Sequence, residues 1–315
     1  MAGALAGAVS AGRTAWRQAY DRPGPLGVAA DVVVPRGSAG DVAEALRHAG
    51  VIADPRAFRL AALLGVGGAM HAGEFHFPAG ASLHQVLEIL HAGRPVQHSL
   101  TIPEGSTARQ IVRLLAAAPA LPGPATPPPE GEVLPETYAY SYGTTPETIL
   151  ERGRVAMARA LVGLWATRAP GLPLASPREA LILASIVERE TARPAERGMV
   201  AAVFLNRLRQ HMRLQADSTV VYAASDGLGR LDHTLTRADL DLDSPFNTYR
   251  IAALPPAPIA SPGVAALRAV LQPAASDALY FVADGTGGHV FARTLEEHHR
   301  NVARWRAATD HTPAP

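Results

Sequence analysis

Apolar side chains crowd nearly every side of one stretch of this chain, S-P-R-E-A-L-I-L-A-S-I-V-E-R-E-T, from Ser176 to Thr191. Leu181, Ile182, Leu183, Ala184, Ile186 and Val187 leave it no continuous polar face, the mark of a helix buried all round rather than lying on a surface. Its start is signalled three times over. Ser176 suits the cap, Pro177 the first helical position, and Glu179 reaches back to complete a capping box. Its end is the charged run Glu188-Arg189-Glu190, after which A-R-P breaks the helix. A second helix is predicted from Ala195 to Arg209, with Met199, Val200, Val203, Phe204, Leu205 and Leu208 on its apolar face. The two read as a hairpin, and an amphipathic helix over Pro146–Trp165 is expected to pack on the first.

Nearer the start the pattern changes period and repeats. Short strand-like runs (Val32-Val33-Val34, Glu74-Phe75-His76-Phe77, Ser99-Leu100-Thr101-Ile102) are each followed by a P-x-G turn at Pro35, Pro78 and Pro103, and then by a short amphipathic helix. The unequal spacings argue against a solenoid. Such units are how any α+β domain is built; they also suit a LysM-like module, which lays a glycan along a shallow groove. From Leu121 a proline-rich loop leads to Gly131-Glu132-Val133-Leu134-Pro135-Glu136-Thr137-Tyr138, where Glu136 and Tyr138 offer polar contacts for a ligand. The chain closes with strand-like Ala278–Ala283, a Gly-rich hairpin, strand-like His289–Phe291 and a final helix from near Thr294. The expected fold is therefore α+β, with small strand-helix modules over 28–98 and a larger domain over 99–310 built on the helical hairpin. Residues 1–27 read as an apolar leader and linker, and 311–315 as a tail.

Within the buried helix, Glu188 is the residue that does not fit a solvated surface. Glu190 has an ordinary explanation, pairing with Arg193 if the turn persists. Around Glu188 the neighbours Ser185, Ala184 and Thr191 are small and uncharged, like the wall of a cleft. A carboxyl desolvated there keeps its proton toward neutral pH, as a general acid must. Downstream, Met212–Tyr222 and S-P-F-N-T-Y-R supply hydrogen-bonding and aromatic side chains suited to a sugar.

Composition narrows the field. The chain has 315 residues, a net charge of +1 and no cysteine. It is long enough for one large or two ordinary domains. The balanced charge gives no electrostatic basis for binding nucleic acid. Thiol nucleophiles, thiolate metal sites and disulfides are excluded. The apolar residues 1–12 are too short to span a bilayer, which takes about 20 residues. They read either as the tail of a membrane helix that starts further upstream or as a disordered leader. Ala15–Gly27, with Trp16, Arg17 and Tyr20, has the look of a juxtamembrane linker.

Four motifs in order, L-A-S-I-V-E-R-E-T, F-L-N-R-L-R-x-x-M-R-L-Q-A-D-S-T-V-V-Y, S-P-F-N-T-Y-R-I-x-x-L-P-P-A-P-I-A-S-P-G and Y-F-V-A-D-G-T-G-G-H-V-F-x-x-T-L-E-E-H, closely resemble the endolytic murein transglycosylase family. With L-P-E-T-Y and the P-x-G repeats, the resemblance runs from about Val32 to Trp305. It implies a bacterial inner-membrane protein with one N-terminal transmembrane helix, a LysM-like domain and a catalytic domain on the periplasmic side. Such an enzyme cuts nascent peptidoglycan strands at the MurNAc-(β1,4)-GlcNAc bond and leaves a 1,6-anhydroMurNAc end. It ends strand elongation without a cofactor, and peptidoglycan synthases and division proteins are the partners it would accompany. The catalytic glutamate falls on Glu188. Gln215, Asp217, Thr219, Tyr222, Asn247 and Tyr249, with Glu136 and Tyr138, are expected to hold the sugars. Ser218 departs from the pattern, standing where many members have proline. Two other readings remain open: a non-catalytic peptidoglycan-binding scaffold, and a metal hydrolase built from His289, His298 and His299 with Glu296 or Glu297. For the latter no H-E-x-x-H spacing is present, and adjacent histidines on a helix point about 100° apart.

Overall fold

A computed structural model describes residue 18, residues 20–64 and residues 69–309. The expected leader, Trp16 and Arg17, and the tail lie outside them. The chain divides into two compact units, the first up to Ser99 with Pro119–Pro122 and Ala139–Thr144 added, the second comprising Leu100–Ala118, Gly123–Tyr138 and the chain from Thr145 onward.

In the first unit, β1 (Ala30–Val34) pairs antiparallel with β2 (Gly73–Phe77), Ala30 opposite Phe77 and Val34 opposite Gly73. Helices α1 (Ala39–His48), α2 (Pro55–Leu63) and α3 (Leu83–Ala92) accompany this pair. The first two P-x-G turns place Ser38 and Ser82 as caps of α1 and α3, each in a full capping box. Leu46, Phe58, Phe75, Phe77 and Leu90 form the core with no exposure. The periodicity gave no warning of α2, although its Asp54-Pro55 start is a recognisable helix signal. The end of the expected linker is folded onto this unit. Gly24 N–H donates to Gly80 O and Gly80 N–H to Leu26 O, and Tyr20 stacks on His84 with ring centroids 5.0 Å apart.

The chain passes into the second unit within β3 (Gln97–Thr101), which pairs with β4 (Thr137–Ser141). The third repeat continues as the turn Pro103-Glu104-Gly105-Ser106 and helix α4 (Ala108–Ala117), capped by Thr107. Then follow α5 (Pro146–Ala166), α6 (Pro177–Glu190), a 3₁₀ turn over Pro194–Glu196, α7 (Arg197–Arg209), α8 (Asp217–Ala224), α9 (Arg237–Leu240) and α10 (Val264–Leu271). Strands β5 (Tyr280–Ala283) and β6 (His289–Ala292) form the closing hairpin before α11 (Leu295–Thr309).

Helix α6 is the axis of this unit. All eight residues from Ala180 to Val187 are buried, and α5, α7, α8 and α10 pack around it. The mixed helix-and-strand architecture is the expected α+β class. Helix α8 stands where a β-branched run obscured the helical period, and α10, an Ala- and Leu-rich helix, follows a proline-rich loop.

Candidate active site

Glu188 sits at the last turn of α6, where the buried cylinder meets the start of α7 nine residues on and two segments more distant in sequence. Its Oε1 accepts from Arg197 Nη2 at 3.0 Å, at the start of α7. Its Oε2 accepts the backbone N–H of Gly263 at 2.8 Å, just before α10. Arg197 Nη2 also reaches Glu104 Oε2 at 3.2 Å, in the third P-x-G turn. The side chain of Glu188 is only 4 % exposed, that of Arg197 12 % and that of Glu104 43 %. Burial pushes the Glu188 carboxyl above the usual carboxylate range. The Gly263 amide and Arg197 pull it back, and the Glu104 charge adds to the rise.

The backbone around this carboxyl is pinned. Ser185, one turn earlier, donates its hydroxyl to Ile182 O at 2.7 Å and accepts Ile259 N–H at 3.0 Å. The loop from Pro255 to Gly263 is thus tied to α6 at two successive turns. Gly105 has φ +74°, which favours glycine, and a Cβ there would meet Arg189 Cδ at 3.3 Å and Glu188 Cγ at 3.8 Å. Arg189 donates to Gly105 O at 3.3 Å and Gly229 O at 2.5 Å, holding the turn and the loop after α8 beside Glu188.

Two local expectations are corrected. Ala184 and Ser185 do not line a cleft: both have 0 % exposure, because their small size lets α6 approach its neighbours closely. Glu190 does not pair with Arg193. The chain turns extended at Thr191, Arg193 goes to Thr286 and Glu196, and Glu190 accepts the Ser218 hydroxyl at 2.6 Å instead. Burial, first of all, raises the Glu190 carboxyl above the ordinary range.

The residues expected to hold sugars fall into groups. Gln215, in the left-handed region at φ +52°, Asp217 and Tyr249 form one polar patch. There Tyr249 OH donates to Asp217 at 2.5 Å and Arg207 to Gln215 Oε1 at 3.1 Å. Thr219 and Asn247 have no exposure. Thr219 Oγ1 donates to Ala216 O and lies 2.9 Å from Thr248 Oγ1; the Asn247 amide donates to Leu240 O and Leu242 O. Tyr138 is also buried, its hydroxyl bonded to Leu134 O and its phenol pushed up to about 12, chiefly by burial. Glu136 is exposed. Tyr222 donates to Glu130 at 3.1 Å, and its ring lies 5.0 Å from that of Phe246. These three line a cavity of about 530 Å³ together with Ala108 at the start of α4.

Arg197, Glu104, Gly263 and Arg207 carried no role in the sequence pattern. Arg207 had a signal, a cation within an apolar helix face. It is buried and donates to Leu279 O, Arg213 O and Leu214 O, clasping the segment before α8. His289 pairs with Glu196 at 2.7 Å, and His298 stacks on Tyr280. Among the described residues no group of three or more His, Asp or Glu is arranged to hold a metal ion.

The model of the YceG-like family matches residues 32–304. The chain belongs to the YceG-like family. A relative from Bacillus subtilis named endolytic murein transglycosylase is 30% identical over 306 residues, covering 86% of this chain and 83% of its own. One of the same name from Streptococcus pneumoniae is 31% identical over 284 residues, covering 74% of this chain; the match spans half of that longer protein. A crystal structure of a YceG-like protein from Listeria monocytogenes aligns with a TM-score of 0.52 and 30% identity, over 86% of this chain and 98% of that one.

Proposed function

We propose that this chain is an endolytic murein transglycosylase, a lyase that cuts peptidoglycan glycan strands with Glu188 as its single acid and base. The observation that carries the reading is the desolvated Glu188 carboxyl, 4 % exposed, with an arginine on one oxygen and a backbone amide on the other. Desolvation favours the protonated acid. The two donors favour the carboxylate that forms when the proton leaves. A group supported in both states is suited to giving a proton and taking it back.

The reaction then runs without water. Glu188 protonates the glycosidic oxygen between N-acetylmuramic acid and N-acetylglucosamine as the C1–O bond breaks. The carboxylate next accepts the proton of the muramyl C6 hydroxyl while that oxygen bonds to C1, closing a 1,6-anhydro ring. The proton is returned to Glu188 and no other reactant is consumed. Ordinary glycosidases need a second carboxylate as nucleophile or to activate water. Here the nucleophile belongs to the substrate, and its high effective concentration makes that group dispensable.

Access to Glu188 in this proposal comes past Glu104, the most exposed member of the cluster. Tyr222 and Phe246 present aromatic surface at a nearby cavity, and Gln215, Asp217 and Tyr249 supply hydrogen bonds for sugar hydroxyls. Thr219, Asn247 and Tyr138 are buried and would act only by supporting their neighbours, and Glu136 is exposed.

The family's membrane placement belongs to the same proposal: the inner membrane, crossed once, with the catalytic unit on the periplasmic side. Among the described residues no helix is long and apolar enough to cross a membrane. Mass spectrometry of purified sacculi treated with the protein tests the activity. Anhydro ends are expected; reducing ends would mean a hydrolase, and no release would mean a binding scaffold.

A further inference from the structure

Arg197 is placed oddly for a simple partner of Glu188. One nitrogen, Nη2, serves Glu188 at 3.0 Å and Glu104 at 3.2 Å, while the buried Nε has no hydrogen-bond partner among the described residues. An arginine free to satisfy one carboxylate turns side-on and engages it with two parallel N–H groups, the stronger arrangement. Leaving Nε without an acceptor in a buried site is unfavourable. Something holds the guanidinium end-on between two acids.

Glu104 is held where it can do this. It stands in the Pro103–Ser106 turn, fastened by reciprocal backbone bonds, Gly105 N–H to Ser261 O and Ser261 N–H to Ser106 O. Its Oε1 lies 1.8 Å from where a Cβ on residue 263 would be, so the carboxylate fills the space left by the missing side chain of Gly263. The same glycine gives its N–H to Glu188. Turn, arginine and glycine therefore form one unit around the acid.

We propose that Glu104 is a positioning residue: by sharing Arg197 with Glu188, it prevents the arginine from closing on the Glu188 carboxylate and so leaves that acid able to carry a proton. The catalytic meaning of this rests on Glu188 being the acid proposed above. The charged groups facing Glu188 are Arg197 from α7 and Glu104 from the turn. On α6 itself, Arg189 turns to Gly105 and Gly229, and Glu190 to Ser218. Asp217 on α8 is bonded to Tyr249, and Arg268 on α10 and the charged side chains of α5 are exposed.

Charge alone sets the direction of the effect. Removing the Glu104 charge releases Arg197 to Glu188 and removes a repulsive neighbour, and both changes favour the Glu188 carboxylate. Removing Arg197 has the opposite effect. The test is a ¹³C NMR titration of the Glu188 carboxyl in the full chain, its resonance identified by its loss in Glu188→Gln. In Glu104→Gln the midpoint is expected to fall by about one pH unit. In Glu104→Asp it stays near the wild-type value, and in Arg197→Met it rises. Glu104 is half exposed, so its variants keep the fold even if Arg197→Met does not. A Glu104→Gln titration that superimposes on wild type, or moves upward, overturns the proposal. The alkaline limb of kcat/KM for anhydro-end release should move in the same direction. A wild-type protein that releases no anhydro ends while the titration midpoint still moves would sink the activity and leave the positioning role standing.

Discussion

The backbone N–H of Gly263 donates to Oε2 of Glu188 at 2.8 Å across 75 residues of chain. Because Glu104 occupies the space a side chain at 263 would need, and φ is an ordinary −73°, Gly263→Ala should displace the end of Glu104 while leaving the backbone unstrained. We expect a folded protein whose Glu188 titrates lower, as in Glu104→Gln. On the alkaline side of the midpoint that lowers the protonated fraction, and with it kcat/KM, by about tenfold for a midpoint one pH unit lower. Steady-state release of anhydro ends across a pH series checks it.

Glu188→Gln cannot supply a proton; it retains the volume and one of the two acceptor oxygens that Arg197 and the Gly263 amide engage. Release of anhydromuropeptides from sacculi should drop by about 10²–10⁴-fold, the range for a general acid, with binding to sacculi and the far-UV spectrum unchanged. In the wild type the first step needs the protonated form. Because burial raises the Glu188 pKa, that form persists above the ordinary carboxylate range, and activity falls as pH rises through the raised value. Wild-type rates from the Gln variant would end the assignment.

Ser185→Ala removes the acceptor of Ile259 N–H inside a fully buried contact. An orphaned buried amide costs about 1–3 kcal/mol, so the melting temperature should fall by several degrees. The same loop ends at Gly263, so activity should fall as well. Thermal unfolding and the rate assay, run on one preparation, decide whether the two losses occur together.

Glu190 gives a stability prediction with a pH sign. Its pKa is raised by burial, so the stability it contributes is fully present below the unfolded value of about 4.3 and is lost as pH rises through the folded value. Glu190→Gln keeps the oxygen that accepts from Ser218 and removes that dependence. The variant should match wild type in mild acid and melt higher at neutral pH. Equal melting temperatures at both pH values would contradict this.

The elements with strong local signals were legible along the chain. The capped α6, the apolar face of α7, the turn-and-cap units before α1 and α3, and the strands near Val32, Phe75 and Phe281 all follow from period and capping chemistry. Glu188 stood out for the same reason: a carboxyl at the end of an apolar cylinder violates the local pattern. Helix α8 was missed because its Ser218-Thr219-Val220-Val221-Tyr222 run is β-branched and aromatic, with little helical preference of its own; α10 is made of good helix formers, Val264-Ala265-Ala266-Leu267-Arg268-Ala269, and was passed over behind the proline-rich loop that precedes it. The small stripe beside Glu188 was misread as a cleft because close packing and an open groove both call for small side chains.

Order along the chain, from burial pattern, caps and turn residues, was enough to establish an α+β chain around one apolar helix and to single out its last-turn acid, since those signals act within a few residues. Tertiary structure alone decided what surrounds that acid. Arg197, Glu104 and the Gly263 amide reach it from segments whose meeting depends on how α6, α7 and α10 pack, and a hydrogen bond spanning 75 residues leaves no trace in local periodicity.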